Sequence, residues 1–287
     1  MSKDYSKHQN LVKKYYVETA WDYKYVWDWH KSGYPSVHYG IYDSEAINHQ
    51  QAVVNTIRKM ATAAEVKAGH KVLDAGCGRG GASFWLAEQL NAIPTGINIS
   101  KNQLEECKAE AKKRNLDICF LEADFCHAPF DNNTFDVVWA CESSCHSPKK
   151  LDFYKESFRV LKPGGIIIVA DYIRASRNNS TEDEALLESW LSNFFCEIDT
   201  ESEHQKNLAL AGFGNFKIQK YVKEIHQSIK NASNHFLKYG KIGKALLKLG
   251  IISEIRYLNA YAVDQQYKAL QKELWYYGIF TAQKPFH

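Results

Sequence analysis

Short apolar runs alternate with amphipathic segments through the middle of the chain. Apolar runs bounded by turn residues predict strands, and apolar residues at three- and four-residue spacing predict helices. The alternating strands and helices are expected at residues 71–75, 82–91, 94–99, 101–114, 117–122, 135–141, 150–161 and 166–173. Apolar strands that alternate with amphipathic helices form a parallel sheet covered on both faces. The pattern therefore predicts an α/β core.

Helical patterns flank this core. The aromatic-rich residues 1–70 predict a helix from Asn10 to Trp29 and a second over residues 44–65. Beyond the core, the pattern predicts a helix over 180–195, a strand over 216–222, a largely helical insertion over 226–273 and a final strand over 275–283. The predicted units are an N-terminal helical cap segment (1–65), a core (66–225), a helical lid insertion (226–273) and a final core strand (274–287).

The composition narrows the class of protein. The chain has 287 residues, of which 45% are hydrophobic and 24% are charged, and its formal net charge is +3. These values are typical of a globular protein with a sizeable core, and the charge is too small to indicate nucleic-acid binding by itself. Seven cysteines without framework spacing favour a reducing compartment. Neither a signal-peptide pattern nor an apolar run of about eighteen residues occurs, so we expect a cytoplasmic protein.

The most informative segment is a glycine-rich turn that follows the first predicted core strand. It runs from Asp74 to Gly81 and leads directly into a predicted helix. Glycines allow positive φ and let a ligand lie against the backbone, while the helix N-terminus offers free N–H groups. The segment therefore predicts a site for a nucleotide cofactor.

Two patterns overlap in this turn. Gly76, Gly78 and Gly81 satisfy the dinucleotide pattern G-x-G-x-x-G, which is a weak signal when it stands alone. A dinucleotide site also expects an acidic residue about 20 positions later, at the end of the second strand, to hold the ribose. That strand ends here in Asn98 and Ser100, with no acid nearby. The dinucleotide interpretation is therefore disfavoured.

The other pattern is acid-x-Gly-x-Gly-x-Gly, from Asp74 to Gly80, and it resembles motif I of class I methyltransferases that use S-adenosylmethionine. Phe135–Trp139 resembles the fourth strand of that family, and Leu161–Gly165 resembles the turn into its fifth strand. The three segments occur in the family's order. The resemblance implies a Rossmann-like, seven-stranded, mostly parallel sheet with an antiparallel last strand, and S-adenosyl-L-methionine as cofactor. We predict no metal site.

The resemblance assigns cofactor contacts to motif I. Gly76, Gly78 and Gly80 would cradle the methionine part of the cofactor. The acid at the position of Asp74 commonly contacts the cofactor's amino group in this family. The alternative is that Asp74 only holds the loop in place through backbone N–H groups. Both interpretations make Asp74 important, and the sequence does not separate them.

The ribose and adenine contacts are expected on the next two strands. Asn98, Ser100 and Gln103 belong to an acid-free segment similar to one in the tocopherol, sarcosine and cyclopropane-synthase branches, where glutamine helps to hold the ribose. Ser100 and Gln103 also form S-x-x-Q, a capping box for the following helix. Asp124 resembles the residue that accepts a hydrogen bond from the adenine amino group, with the Phe125 N–H facing the ring. The alternative is a solvated acid at the strand end.

The acceptor side is expected after the fourth core strand. Glu142–His146 resembles the E-S-x-x-H loop of the tocopherol-methyltransferase-like enzymes, the group of small-molecule methyltransferases that the chain resembles most. His146 is the candidate base because its pKa lies near neutrality, and Glu142 would orient it or bind substrate. The alternatives are a surface histidine and a structural glutamate. His38–Asp43 resembles an element that closes over the cofactor, and Tyr39 is its expected contact.

Two further patterns keep both a functional and a structural interpretation. One consists of aromatics that suit stacking or cation–π contact but equally suit a plain core, namely Tyr15, Tyr16, Trp21, Trp27, Trp29, Tyr39 and Tyr42. The other consists of lysines interleaved with apolar residues, which suit an anionic substrate or a membrane surface but equally a solvated lid face, namely Lys238, Lys241, Lys244 and Lys248.

The combined expectation is methyl transfer to a nitrogen or carbon atom of a small organic acceptor, natural-product-like and either aromatic or an amine. The transfer is an in-line displacement that requires the reacting atoms about 3–3.5 Å apart before attack. Nucleic-acid methylation is disfavoured because the chain has no strongly basic appended domain and no motif of those enzymes. The remaining alternatives are a cofactor-assisted cyclisation or isomerisation, and a catalytically inactive cofactor-binding module.

Overall fold

The computed structural model describes residues 3–24 and 33–286, and within them one seven-stranded sheet forms the centre of the protein. The strands are β1 Lys71–Ala75, β2 Ile93–Asn98, β3 Cys119–Glu122, β4 Phe135–Cys141, β5 Leu161–Arg174, β6 Gly214–Tyr221 and β7 Trp275–Gln283. Their order is β3-β2-β1-β4-β5-β7-β6. The first five strands pair in parallel, and β7 lies antiparallel between β5 and β6. The predicted Rossmann-like sheet with an antiparallel last strand is confirmed.

Helices connect the strands and cover both faces of the sheet. The helices of the described ranges are α1 Lys3–Asp22, α2 His49–Ala63, α3 Gly81–Leu90, α4 Lys101–Lys113, α5 Lys150–Val160, α6 Thr181–Phe194, α7 Glu201–Ala211, α8 Lys223–Lys248 and α9 Glu254–Gln271. The two helices α8 and α9 lie between β6 and β7 in the chain, and α9 packs against α1, α6 and α8. None of the helices described is long and apolar enough to cross a lipid bilayer.

Some boundaries differ from the sequence pattern. Helix α1 begins at Lys3, before the predicted start, and the predicted end near Trp29 lies outside the described residues, as does Trp27. Strand β5 begins at Leu161 and not at residue 166. Its pairing with β4 shifts register next to Pro163 and Gly164, because the strand bulges there. Gly164 adopts a left-handed backbone, with φ +79°, at this bulge. The sequence around it resembles a turn, but the strand continues through it.

The sheet buries both of its faces. Along β4, Val137 and Trp139 pack into one apolar cluster, and Val138 and Ala140 pack into the cluster on the other face. Successive strand residues point to opposite faces, so this alternation shows that helices cover the sheet on both sides. The carboxyl ends of the parallel strands therefore meet at one edge of a rigid, fully packed scaffold, and ligands bind outside that edge in open α/β sheets.

Candidate active site

The glycine turn after β1 forms one wall of a cleft at the carboxyl edge of the sheet. The N–H groups of Gly76 and Cys77 donate to the Ile97 carbonyl at 2.9 and 3.0 Å, which fixes the turn against β2. Gly76 has φ +83°, and a Cβ added there would lie 2.5 Å from the Ser143 Cβ. Gly78 has φ +53°, but a Cβ there would meet only Val37, at 3.7 Å. The Gly78 backbone is thus the open part of the turn.

Asp74 is buried at the end of β1 and holds the loop to the next helix. One of its carboxylate oxygens accepts a hydrogen bond from the Ser83 hydroxyl at 2.6 Å. Burial raises the pKa of Asp74 to about 6, while the hydrogen bonds from the side chain and backbone of Ser83 oppose the shift. Asp74 also lines the cleft. In the structure, Asp74 therefore holds the loop through Ser83, which agrees with the alternative that it stabilises the loop.

Hydrogen bonds of the Asn98 side chain join the residues of the segment after β2. The Asn98 amide donates to the Gln103 side-chain oxygen at 2.8 Å, and the Asn98 oxygen accepts from the Ser100 N–H at 3.1 Å. The expected capping box is therefore wrong: Ser100 occupies the cap position of α4 but makes no side-chain capping bond. Its buried hydroxyl has no hydrogen-bond partner among the described residues. Asn98 and Gln103 both line the cleft.

Asp124 lies beyond β3 and accepts hydrogen bonds from three groups. The Tyr5 hydroxyl, on α1, donates to both carboxylate oxygens at 2.9 and 3.1 Å. The Cys126 N–H and the His127 Nδ1 donate to one oxygen each, both at 2.9 Å. These are three donors, since the single Tyr5 hydroxyl proton is shared between the two oxygens, and a carboxylate has about four acceptor positions. Asp124 is therefore not a solvated acid, and helix α1 closes this end of the cleft.

Glu142 is buried after β4 with an unusual backbone, φ +48°. Its carboxylate accepts from the Tyr39 N–H at 2.8 Å, the Tyr277 hydroxyl at 2.9 Å and the Tyr172 hydroxyl at 2.5 Å. Burial raises the pKa of Glu142 to about 8, although the three donors lower it in part. Glu142 does not orient His146, because the ring nitrogens of His146 are bound to Tyr16 and Phe195; a role of Glu142 in binding substrate stays a prediction.

His146 ends the same loop and has a partner on each ring nitrogen. The Phe195 carbonyl lies 3.2 Å from Nδ1, so Nδ1 is the donor. Nε2 then accepts from the Tyr16 hydroxyl at 2.7 Å. Burial opposes protonation of the imidazole, but the neighbouring Cys196 and the Phe195 carbonyl raise the pKa of His146. The histidine is thus held in one tautomer, with a basic nitrogen directed at a phenol.

Two thiols accompany this histidine. Cys145, His146 and Cys196 have potential ligand atoms that all lie within 4.8 Å of one another. Such a group is able to hold a soft metal ion. However, both ring nitrogens of His146 already take part in hydrogen bonds to Tyr16 and Phe195, so a metal would have to displace one of these partners.

Most of the sequence-predicted residues line one cleft, namely Asp74, Gly76, Gly78, Asn98, Gln103, Asp124, Phe125, Glu142 and His146. Three others are placed outside its walls. Tyr39 is a core residue whose hydroxyl donates to Gln266 at 2.6 Å. Gly80 faces Phe84 and Cys107, and Ser100 is buried behind Asn98. The structure gives Tyr39 a different contact with the site, through its N–H and Glu142.

The sequence pattern missed the contribution of α1 to the cleft. Tyr5 lies before the predicted start of the first helix, and Tyr16 is one of several aromatics at helical spacing. Both lie in the cleft, together with His8, whose ring contacts the His146 carbonyl at 2.9 Å. No local signal indicates which tyrosines reach a site on a sheet more than one hundred residues away.

Comparison with known proteins gives a match over the middle of the chain. Residues 73–169 match the family described as a methyltransferase domain. The matched range contains the glycine turn, the Asp124 strand end and the loop from Glu142 to His146. Most of the residues that the core strands contribute to the cleft therefore lie inside the matched range, whereas Tyr172 at the end of β5 and the whole of α1 lie outside it.

Curated proteins similar to this chain include two plant enzymes. The chain is 36% identical over 164 residues to 24-methylenesterol C-methyltransferase 3 of Arabidopsis thaliana, which covers 56% of this chain and 44% of that protein. It is 33% identical over 201 residues to the chloroplastic tocopherol O-methyltransferase of the same plant, covering 65% and 55%. The chain spans about half the length of these relatives.

The fold has close counterparts among solved structures. The mycolic acid cyclopropane synthase CmaA1, solved with SAH and CTAB, superimposes with a TM-score of 0.83. The alignment covers 96% of this chain and 98% of that one at 16% sequence identity. At this identity the likeness concerns the architecture and not the acceptor.

Proposed function

We propose that this chain, which belongs by its fold and its domain match to the class I S-adenosylmethionine-dependent methyltransferases, transfers a methyl group to a nitrogen or carbon atom of a small organic acceptor. The observation that carries the proposal is the Tyr16–His146 pair, which lies in the same cleft as the open backbone of Gly78. The cleft thus combines a cofactor loop with a base at one edge of the sheet.

The residues of the cleft fit S-adenosylmethionine. Gly78 presents backbone without a side chain, and the Gln103 NH₂ group has no partner within the described part of the chain. The buried Nε2 of His38 is likewise unpartnered there; because burial lowers the pKa of His38 to about 4, this nitrogen is a neutral acceptor. We assign Gly76 and Gly78 to the methionine part and Asn98 with Gln103 to the ribose.

Asp124 and Phe125 complete the assignment at the adenine end. Because the Tyr5 hydroxyl lies against both Asp124 oxygens, an adenine amino group would compete with it for the carboxylate. Cofactor entry would then move the start of α1. Gly80 and Ser100 support this wall from behind, and Asp74 holds its loop through Ser83.

When bound, the cofactor supplies an electrophilic methyl group on a sulfonium. The Tyr16–His146 pair takes up the proton that the acceptor loses: the acceptor's proton moves to the Tyr16 oxygen as the hydroxyl proton passes to His146 Nε2. The Phe195 carbonyl holds the Nδ1 proton and so keeps Nε2 available for this transfer. General-base assistance of this kind contributes typically 10²–10⁴-fold to a rate.

Glu142 positions the loop that carries His146. Its three donors come from the segment after α1, from β5 and from β7, so one buried carboxylate joins the cap to the core.

We propose that residues 1–65 and 226–273 cap the cleft, and that residues 66–225 and 274–287 form the core. The carbon acceptor in the name of the sterol relative supports carbon as one target atom here.

The test begins with calorimetric titration of S-adenosylmethionine, S-adenosylhomocysteine and NAD(H). We expect binding of the first two only. Acceptors are then screened with S-adenosylmethionine that carries a deuterated methyl group, because the label marks a transferred methyl group in the product. His146→Ala is the matched control, since it should bind cofactor and lose transfer. Binding of NAD(H) in place of the sulfonium cofactor would contradict the proposal.

A further inference from the structure

A second cavity, of about 510 Å³, lies among α1, α8 and α9. This volume falls in the range of roughly 300–1,000 Å³ that is typical of sites for small organic ligands. Tyr23 lines both this cavity and the cleft that contains His146, so the two spaces adjoin. The second cavity is therefore placed to hold the body of an acceptor whose reacting atom lies at the Tyr16–His146 pair.

Aromatic and apolar residues line much of the cavity, beside polar residues such as Asn231, Arg256 and Asn259. Phe236 and Tyr239 from α8 line it together with Tyr257 and Val263 from α9, and Ile252 lies on the connection between the two helices. Burying an apolar ligand surface against such walls is favourable in proportion to the area removed from water. The chemistry of this space suits a lipophilic acceptor.

The same part of α8 presents an unusual outer face. The exposed apolar residues there are Leu237, Ile242, Leu249 and Ile251, between 57% and 72% accessible. Isolated apolar residues on a surface are ordinary, but these are concentrated in the second half of α8 and the turn that follows. We call residues 237–251 the α8 surface.

The charge of the α8 surface has one sign. Lys238, Lys241, Lys244 and Lys248 alternate with its apolar residues, and no acidic residue occurs between Ile225 and Ser253. Within residues 3–24 and 33–286, none of these four lysines forms an ion pair, although the Lys238 ammonium lies 5.1 Å from the Tyr239 ring centre. A helix with lysines beside exposed apolar residues binds anionic bilayer surfaces, where the apolar residues enter the headgroup boundary.

We propose that the α8 surface docks on an anionic lipid bilayer and that the adjoining cavity receives a lipophilic acceptor from it. Phe236, Tyr239 and Gly243 line the cavity, and the lysines that face the bilayer alternate with them on the same helix. Docking would place α8 between the bilayer and the cavity, with the lysines on the outer face of the helix and Phe236 and Gly243 on its inner face. The substrate class rests on the proposed methyl transfer, whereas the docking itself does not.

The docking is tested by flotation of the purified full chain with two kinds of vesicle, phosphatidylcholine alone and phosphatidylcholine with phosphatidylglycerol. We expect binding to the second kind, weakened by salt. K241E/K244E should reduce that binding at least tenfold. The control K67E/K112E makes the same change of net charge at exposed lysines away from the α8 surface and should bind like the natural sequence. Equal binding by both double variants, or no binding to anionic vesicles, would overturn the proposal.

The role of the cavity has a separate test. In Gly243→Phe the added ring would enter the cavity toward Tyr257, whose ring lies 3.6 Å from a Cβ built at this position. This variant should bind vesicles normally but lose uptake of a pyrene-labelled fatty acid from them. Unchanged uptake, or no uptake by the natural sequence, would overturn the assignment of the cavity. Neither readout uses the cofactor, so a failure of docking is distinguishable from a failure of methyl transfer.

Discussion

The hydroxyl of Tyr16 lies 2.7 Å from Nε2 of His146, and this contact joins the first helix of the chain to the loop after the fourth strand. The Phe195 carbonyl on Nδ1 fixes the tautomer that makes Nε2 the acceptor. Burial raises the pKa of Tyr16 well above its ordinary value, so the phenol keeps its proton in the resting protein. A basic imidazole and a neutral phenol thus form one unit that is able to accept a proton from the cleft.

The first prediction concerns this pair. His146→Ala and Tyr16→Phe should each lower the rate of methyl transfer by about 10²–10⁴-fold, because either change removes the path of the proton. Cofactor affinity, measured by calorimetry, should stay within twofold of the natural sequence. Tyr23→Phe is a suitable control, since Tyr23 lines the same cleft without a hydrogen bond to His146. Unchanged turnover in both variants would exclude a base at this position.

The second prediction concerns the adenine end. Asp124→Ala should weaken binding of S-adenosylhomocysteine by about 1.5–3 kcal/mol, as expected for the loss of a charge-assisted hydrogen bond. Tyr5→Phe removes the hydroxyl that occupies both Asp124 oxygens and should leave affinity unchanged or increase it slightly. Calorimetric titration of both variants checks this difference. An equal loss of affinity in both would show that Tyr5 holds the bound cofactor in place.

The sequence predicts the core well because its signals are local. The apolar run over residues 275–283 coincides with β7, and the strand ends at Asp74 and Asp124 meet at one edge, since parallel strands share that edge. The start of β5 is missed because Pro163 and Gly164 resemble a turn, whereas pairing with β4 carries the strand through the bulge. Here tertiary pairing overrides local preference.

The contacts around Glu142 have no comparable signal. The E-S-x-x-H pattern brings Glu142 and His146 into one loop, and both do lie in the cleft. Their partners, however, come from distant segments: Tyr172 and Tyr277 from two other strands, and Tyr16 from α1. A four-residue spacing suggests that the two residues bind each other, but the local left-handed backbone at Glu142 and the packing of three separate elements decide otherwise.

The third prediction separates two glycines of the cofactor turn. Gly76→Ala should destabilise the fold severely, because its Cβ would lie 2.5 Å from the Ser143 Cβ at a left-handed backbone position. Gly78→Ala is also left-handed but meets only Val37 at 3.7 Å, so its cost should be the backbone strain of about 1–2 kcal/mol. Denaturant unfolding of the two variants measures the difference. Equal destabilisation would mean that the turn relaxes around Gly76.

The fourth prediction follows from the buried carboxyl of Glu142. Its pKa is raised from the ordinary value of 4.5 to about 8, so between these pH values the unfolded chain loses a proton that the folded protein retains. The free energy of unfolding should therefore fall as pH rises through this window, by on the order of 1.4 kcal/mol per pH unit from this group.

Glu142→Gln isolates that contribution because glutamine does not titrate. In urea unfolding, the stability of this variant relative to the natural sequence should rise steadily from about pH 5 to about pH 8. Over this range the natural sequence loses stability because its folded state keeps the Glu142 proton that its unfolded state releases, whereas the variant has no such proton. Glu182→Gln removes a solvent-exposed carboxyl that pairs with Lys272, and its stability curve should run parallel to that of the natural sequence. Parallel curves for both variants would mean that Glu142 is ionised in the folded protein throughout the range, with its charge balanced by the three donors from Tyr39, Tyr172 and Tyr277.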